Sequence, residues 1–132
     1  MIVVDASVLA SIILLEPGWE NLVPHIINCF TVDHAIKEVF NAIWKASYKG
    51  LITIEDAIEK AHLFIELVGT NIRLVDEQEL IRDALTISLD KKITVYDALY
   101  IALALREQLP LLTLDKTQRD VAKQLGVRII SP

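Results

Sequence analysis

The chain has 132 residues, of which 53% are hydrophobic and 23% charged, and it carries a formal net charge of −5. This composition excludes a disordered chain and predicts one compact domain over residues 1–132, with more apolar surface than a small monomer hides, so we expect a homodimer. The acidic balance excludes a broad basic surface for nucleic acid, although metal ions could still supply positive charge locally.

The first half of the chain predicts two buried strands and four helices. Three apolar residues, Ile2-Val3-Val4, run into Asp5, which is typical of a buried parallel strand. Gly50 ends the longest of these helices, whose predicted N-cap is Asp33. The strands are expected at 2–4 and 29–32 and the helices at 7–15, 19–28, 33–49 and 53–68. The helix over 33–49 is expected to bury Ile36, Val39, Phe40, Ile43, Trp44 and Ser47.

The second half alternates strands and helices in the same way. Asp76 and Glu79 form a capping box that predicts a helix to about Leu89, and Thr94 caps another that begins at Val95. The strands are expected at 72–75, 111–114 and 127–130, and the helices at 76–89, 95–108 and 116–125. About five strands that alternate with helices predict a three-layer α/β/α sandwich with a mostly parallel sheet.

Several common kinds of site are absent from this sequence. The four glycines lie where helices or turns end, so no glycine-rich phosphate loop exists, and there is no G-x-S-x-G elbow. His25, His34 and His62 lack the spacing of a zinc site and are interpreted as surface or packing residues.

The cellular compartment is indicated by two further features. A single cysteine, Cys29, excludes an intrachain disulfide and is expected to be buried. No basic leader precedes Ile2, and the longest apolar tract is shorter than the roughly 20 residues that span a bilayer. We therefore expect a cytoplasmic protein.

Three aspartates have positions that favour a shared site. Asp5 and Asp115 each follow an apolar strand, and parallel strands bring their carboxyl ends to one edge of a sheet. Each could equally be a helix N-cap, worth about 1 kcal/mol. Asp97 begins an almost entirely apolar helix, where a carboxylate is costly unless it is paired, hydrogen-bonded or bound to metal. It could also simply complement the helix dipole.

Glu38 is a weaker candidate on the residues alone. It shares a helix face with Asn41 and Lys45, which is typical of a solvated surface.

Carboxylates that converge need a cation, and oxygen ligands without His or Cys favour Mg²⁺ or Mn²⁺. Such an ion can activate water and orient a phosphodiester, so the acids predict metal-dependent phosphodiester hydrolysis.

Four short stretches follow one another along the chain: VVDAS at 3–7, EVFN at 38–41, YDALYIALA at 96–104 and LTLD at 112–115. On these residues the chain resembles the PIN-domain nucleases, most closely the VapC toxins of type II toxin–antitoxin pairs. The resemblance implies that Asp5, Glu38, Asp97 and Asp115 are the catalytic acids and bind Mg²⁺ or Mn²⁺.

The same resemblance implies supporting residues and partners. Ser7 and Thr113 would be hydroxyls at or just behind the metal, and Asn41 a polar neighbour. Phe40 departs from the small residues common in the family at that position. The implied substrate is RNA and the implied partners are an antitoxin protein and a second copy of the chain. Lys45 and Lys116 are the candidate substrate contacts by position.

Three other functions remain open at this point. A non-catalytic PIN-like module would bind RNA or protein without needing an ion. A housekeeping RNA-processing nuclease would share the chemistry but lack an antitoxin. A phosphotransferase of the haloacid-dehalogenase type also opens with a strand and an aspartate, but it normally has a second aspartate two positions on, where this chain has Ser7.

Overall fold

Four short parallel strands form one sheet at the centre of the computed structural model, which describes residues 1–132. The strands are β1 (Ile2–Val4), β2 (Cys29–Val32), β3 (Ile72–Val75) and β4 (Leu111–Leu112). The helices are α1 (Ala6–Ile13), α2 (Trp19–Leu22), α3 (His34–Tyr48), α4 (Ile54–Thr70), α5 (Ile81–Lys91), α6 (Val95–Glu107) and α7 (Lys116–Gln124). The predicted α/β/α sandwich is confirmed.

The sheet has the order β3-β2-β1-β4, so β1 lies between two partners. Val3 is in register with Phe30 of β2 on one side and Leu111 of β4 on the other. Because all pairings are parallel, the ends of β1 and β4 meet at the same edge of the sheet. Helix α6 contacts β1 and β2, and its residues from Ala98 to Ala104 are all buried.

The predicted fifth strand, 127–130, is reduced to a single parallel bridge between Leu111 and Ile129. Leu111 donates its N–H to the carbonyl of Arg128 and accepts a hydrogen bond from the N–H of Ile130. Strand β4 is only two residues long, and Thr113, its predicted continuation, donates its hydroxyl to Asp5. A two-residue strand offers no ladder for a longer partner.

Several helix boundaries differ from the predictions. The expected helix over 19–28 splits into α2 and a 3₁₀ turn at Val23–Ile26, because Pro24 has no N–H for a continuing α-helix. Asp33 occupies the N-cap position of α3, as predicted, but its carboxylate does not cap the helix, because it accepts the N–H of Glu77 at 3.0 Å instead. Asp76 caps a 3₁₀ turn, Glu77–Glu79, and α5 begins only afterwards.

The predicted buried face of α3 is rotated in the structure. The fully buried residues are Ala35, Val39, Ile43 and Ala46, whereas Phe40 and Trp44 are exposed. Two alanines allow this helix to approach its neighbours closely, a preference that a pattern of large apolar residues does not reveal. Cys29 is buried, as expected, and its pKa is raised by burial to about 12. None of the helices has the length and apolar character needed to cross a membrane.

Candidate metal centre

The four predicted acids line one open cavity of about 220 Å³ at the carboxyl edge of the sheet. Small residues complete its wall, which keeps the space between the carboxylates unfilled. The lining residues are Asp5, Ala6, Ser7, Ala10, Glu38, Ala42, Asp97 and Asp115. The structure therefore brings together side chains that are up to 110 positions apart, since Asp5 and Asp115 face the same cavity.

Asp5 is the most buried of the four acids and is held by three hydrogen bonds. It is the N-cap of α1, where Oδ1 accepts the N–H of Val8 at 3.2 Å and the hydroxyl of Ser7 at 2.6 Å. Its other oxygen, Oδ2, accepts the hydroxyl of Thr113 at 2.7 Å. Burial raises the pKa of Asp5 to about 6, against the lowering effect of these donors, and the charge of Glu38 raises it further.

The two hydroxyls also connect the ends of β1 and β4. The oxygen of Thr113 accepts the N–H of Asp115 at 3.0 Å, and the oxygen of Ser7 accepts the N–H of Leu114 at 3.0 Å. Each hydroxyl therefore donates to Asp5, and Ser7 also accepts from the segment that follows β4, whereas Thr113 accepts from its own segment. The predicted placement of Ser7 and Thr113 beside the acids is observed.

Asp97 and Asp115 are joined by one glutamine. Asp115 is the N-cap of α7, and its Oδ1 accepts the N–H of Gln118 at 2.7 Å. The side-chain amide of the same residue, Nε2, donates to Asp97 Oδ1 at 3.3 Å. Burial and the charge of Asp115 raise the pKa of Asp97. Gln118 is buried, and its Oε1 is an orphaned polar atom with no hydrogen-bond partner.

Glu38 is held by two aromatic side chains. The hydroxyl of Tyr100 donates to Glu38 Oε1 at 2.7 Å, and Nε2 of His34 lies 3.2 Å from the same oxygen. Burial and the neighbouring charge of Glu38 raise the pKa of Tyr100, so its hydroxyl remains a donor. The predicted solvated position of Glu38 is thus only half right, because the carboxylate turns back toward α6.

The donor set fits a hard divalent cation. All four candidate ligands are carboxylates, and the hydrogen bonds engage only one oxygen each of Glu38, Asp97 and Asp115. As the side chains stand, no three of them are close enough to hold an ion. Burial is the main reason that the pKa values of Asp5 and Asp97 are raised, and a cation bound beside these carboxylates would favour their ionised forms.

A family model described as PIN domain matches residues 2–124. The chain belongs to the PIN domain family. Within it, this PIN domain is 33% identical over 118 residues to Ribonuclease VapC3 of Pyrobaculum aerophilum, covering 87% of this chain and 89% of that protein. The predicted likeness to the VapC branch is confirmed.

Solved structures share the fold of this PIN domain at lower identity. PAE2754 from Pyrobaculum aerophilum matches with a TM-score of 0.74 at 21% identity, over 96% of this chain and 81% of that one. Mycobacterium tuberculosis VapC20, described as a sarcin-ricin loop cleaving toxin, matches with a TM-score of 0.71 at 15% identity over the full length of both. FitAcB from Neisseria gonorrhoeae matches with a TM-score of 0.60 at 16% identity, over 100% and 98% of the two chains.

Three residues at the site of this PIN domain were not predicted from the sequence. His34 was interpreted as a surface or packing residue, whereas Tyr100 and Gln118 received no role. Their contacts depend on tertiary packing, since Tyr100 and Glu38 are 62 positions apart. The signal that the sequence did contain is the spacing i, i+4, which places His34 on the same helix face as Glu38.

Three predicted neighbours do not join the cavity. Asn41 is exposed, and Ala42 lines the cavity in its place. Lys45 is exposed near the end of α3. Lys116 follows Asp115 directly, but its Nζ lies 2.6 Å from Asp120 Oδ2 one helical turn further on.

Proposed function

We propose that residues 1–132 form a single PIN domain that acts as a Mg²⁺- or Mn²⁺-dependent endoribonuclease, the toxin of a toxin–antitoxin pair. The observation that carries the proposal is the convergence of four carboxylates in one cavity at the carboxyl edge of the sheet. The name of the ribonuclease relative supports RNA as the substrate, and the description of VapC20 supports the toxin role.

In this proposal Asp5, Asp97 and Asp115 hold the ion, and Glu38 either completes the site or binds a second one. When bound, the ion would neutralise charge on the phosphodiester and make water acidic enough to attack phosphorus at neutral pH. Four carboxylates without such an ion would repel an RNA phosphate, so the acids need it before they can meet their substrate.

The chain's own hydrogen bonds keep these carboxylates oriented. Ser7 and Thr113 fix both oxygens of Asp5, and Gln118 sets the spacing of the two other aspartates. Tyr100 fixes one oxygen of Glu38 and leaves the second for the ion. Replacing partners of this kind, which act through the metal ligands, typically lowers metal affinity or activity roughly 10–100-fold. We expect a loss of about 10-fold for each of these residues.

The direct test is Asp97→Asn, which we expect to abolish Mn²⁺-dependent cleavage of RNA without unfolding the protein. Asp56→Asn is a matched control, because Asp56 occupies the same first-turn position of α4. The N–H of Asp56 donates to the cap Thr53 as that of Asp97 donates to the cap Thr94. Undiminished cleavage by a folded Asp97→Asn variant, or equal loss in both variants, would contradict the assignment.

Calorimetric titration of Mn²⁺ into the metal-free protein separates this proposal from a non-catalytic module. We expect one or two ions to bind to the wild type and none of comparable affinity to Asp97→Asn. A protein that binds RNA equally well with and without the ion, and does not cleave it, would be a non-catalytic PIN-like module instead.

The toxin role includes a cytoplasmic location, an antitoxin and a second copy of the chain as partners. Exposed apolar side chains favour the proposal of protein partners. Trp44, Tyr48 and Ile58 are among them, and they line a groove of about 430 Å³ between α3 and α4. Lys45 and Lys116 are the proposed RNA contacts. A short reading frame for a DNA-binding protein just upstream would support the toxin role, whereas its absence would favour a housekeeping RNA-processing nuclease.

A further inference from the structure

Two pairs of side chains face each other where α3 meets α6. His34 and Glu38 lie one turn apart on α3, and Tyr96 and Tyr100 lie one turn apart on α6. In the inner contact Tyr100 donates to Glu38 at 2.7 Å. In the outer contact the rings of His34 and Tyr96 stack, with centroids 4.8 Å apart and planes inclined by 11°. The approach of His34 Nε2 to Glu38, at 3.2 Å, joins the two contacts.

The exposures of the two stacked rings differ sharply. Tyr96 is 60% exposed, whereas the side chain of His34 is only 13% exposed. Parallel stacking on His34 covers one face of the tyrosine ring, so the exposure belongs to the opposite face and the edges. Tyr96 therefore presents a free aromatic face to solvent, and His34 holds that face in one orientation.

The stacked pair adjoins two of the acids that line the cavity, although neither ring is itself part of the lining. Tyr96 directly precedes Asp97 in the chain, and its stacking partner His34 contacts Glu38. Two of the four cavity acids are therefore immediate neighbours of the stacked pair Tyr96–His34, which we call the platform. A net charge of −5 leaves this chain poorly suited to hold RNA by phosphate contacts alone. Stacking on an aromatic face provides affinity without requiring positive charge.

We propose that the outer face of Tyr96 is a stacking site for an unpaired nucleobase next to the phosphate that the acids handle. The inference rests on the proposed nuclease function and assigns one residue that would contact its RNA substrate. Bases inside a duplex have both faces covered by their neighbours, so only an unstacked base can use this platform. His34 is a positioning residue, because it acts through the tyrosine.

The chain contains a matched control for this platform. Trp44 and Tyr48 also stack, with centroids 5.2 Å apart and planes inclined by 20°, and both are exposed. They line the groove between α3 and α4, and none of the four acids lines that groove. If any exposed stacked pair served equally well, replacing Tyr48 would have the same effect as replacing Tyr96.

The test measures RNA binding by fluorescence anisotropy in the Asp5→Asn background with Mg²⁺ present, where cleavage is expected to be lost. The probes are a short oligoadenylate and the matching ribose-phosphate chain without bases. We expect Tyr96→Leu to weaken oligoadenylate binding about 10-fold and to leave the abasic chain unaffected. Tyr96→Phe should retain the wild-type preference for bases, and Tyr48→Leu should change neither probe.

The stacking site would be overturned if Tyr96→Leu weakened the binding of both probes equally, or if it left the preference for the probe with bases unchanged. It would also be overturned if Tyr48→Leu weakened oligoadenylate binding as much as Tyr96→Leu does. Cleavage assays in the Asp5 wild-type background separate this failure from failure of the nuclease proposal. If RNA is cleaved but Tyr96→Leu retains the preference, only the stacking site fails. If no ion supports cleavage while the preference still depends on Tyr96, only the nuclease assignment fails.

Discussion

Asp5→Asn should make the metal-free protein more stable at neutral pH while removing its activity. The folded-state pKa of Asp5 is about 6, against 3.8 for the free carboxyl. Between these values the folded protein keeps a proton that the unfolded chain has lost, so stability falls as pH rises through this window. The difference of about two units corresponds to roughly 3 kcal/mol at neutral pH.

The substitution recovers most of this penalty because asparagine is uncharged and has nearly the same shape. Its carbonyl can still accept from Ser7 and Val8, whereas its NH₂ group would face the hydroxyl oxygen of Thr113. The hydroxyl hydrogen of Thr113 then loses its acceptor, at a cost of about 1 kcal/mol. We therefore expect a net gain of about 2 kcal/mol in the free energy of unfolding.

Urea denaturation with EDTA present, at neutral pH and again below pH 3.8, measures this gain. The variant should exceed the wild type by about 2 kcal/mol in the free energy of unfolding at neutral pH, and it should be less stable by about 1 kcal/mol at acidic pH, where Asp5 is protonated. Adding Mg²⁺ should stabilise the wild type more than the variant, because the variant keeps only three of the four carboxylates. Asp56→Asn, at an exposed first-turn position, is the control and should lack the gain in stability at neutral pH. The reasoning would be refuted if the variant were less stable than the wild type at neutral pH. It would also be refuted if the free energy of unfolding differed from that of the wild type by the same amount at both pH values.

Two further variants test the residues that orient the carboxylates. Tyr100→Phe keeps the buried ring but removes the donor to Glu38, so the rate of RNA cleavage should fall about 10-fold while stability falls by about 1 kcal/mol; an unchanged rate would mean that Glu38 needs no such partner. Gln118→Met removes the donor to Asp97 together with the unpartnered buried oxygen. Calorimetry should show that Mn²⁺ affinity falls about 10-fold, while the free energy of unfolding does not fall. If Gln118 had a purely structural role, stability would fall and Mn²⁺ affinity would not change.

Local rules were sufficient for the part of the site that lies at strand ends. Asp5 and Asp115 could be placed together because parallel strands share a carboxyl edge, and both face one cavity. Both also cap helices, so the N-cap interpretation does not exclude a place in that cavity. Asp97 was indicated by the cost of placing a carboxylate on an apolar helix. These inferences need only the direction and burial of an element.

Glu38 could not be placed by local rules, because its surroundings are tertiary. Its helix face looks solvated in sequence, and only the family motif singled it out. The contact with Tyr100 depends on how α3 packs within the fold, and the same packing exposes Phe40 and Trp44, which the sequence pattern wrongly buried. Helix rotation of this kind is decided by small residues such as Ala35 and Ala46, which carry little weight in a hydrophobic pattern.

The hydrogen bond between Thr113 and Asp5 spans 108 positions and has a consequence for synthesis of the protein. A chain that grows from its N-terminus makes Asp5 110 positions before Asp115, and Gln118 later still. Until then β1 lacks its β4 neighbour, and Asp5 lacks the hydroxyl that fixes its second oxygen. A cleavage site at this cavity would therefore stay incomplete on the translating ribosome until Asp115 and Gln118 have been synthesised.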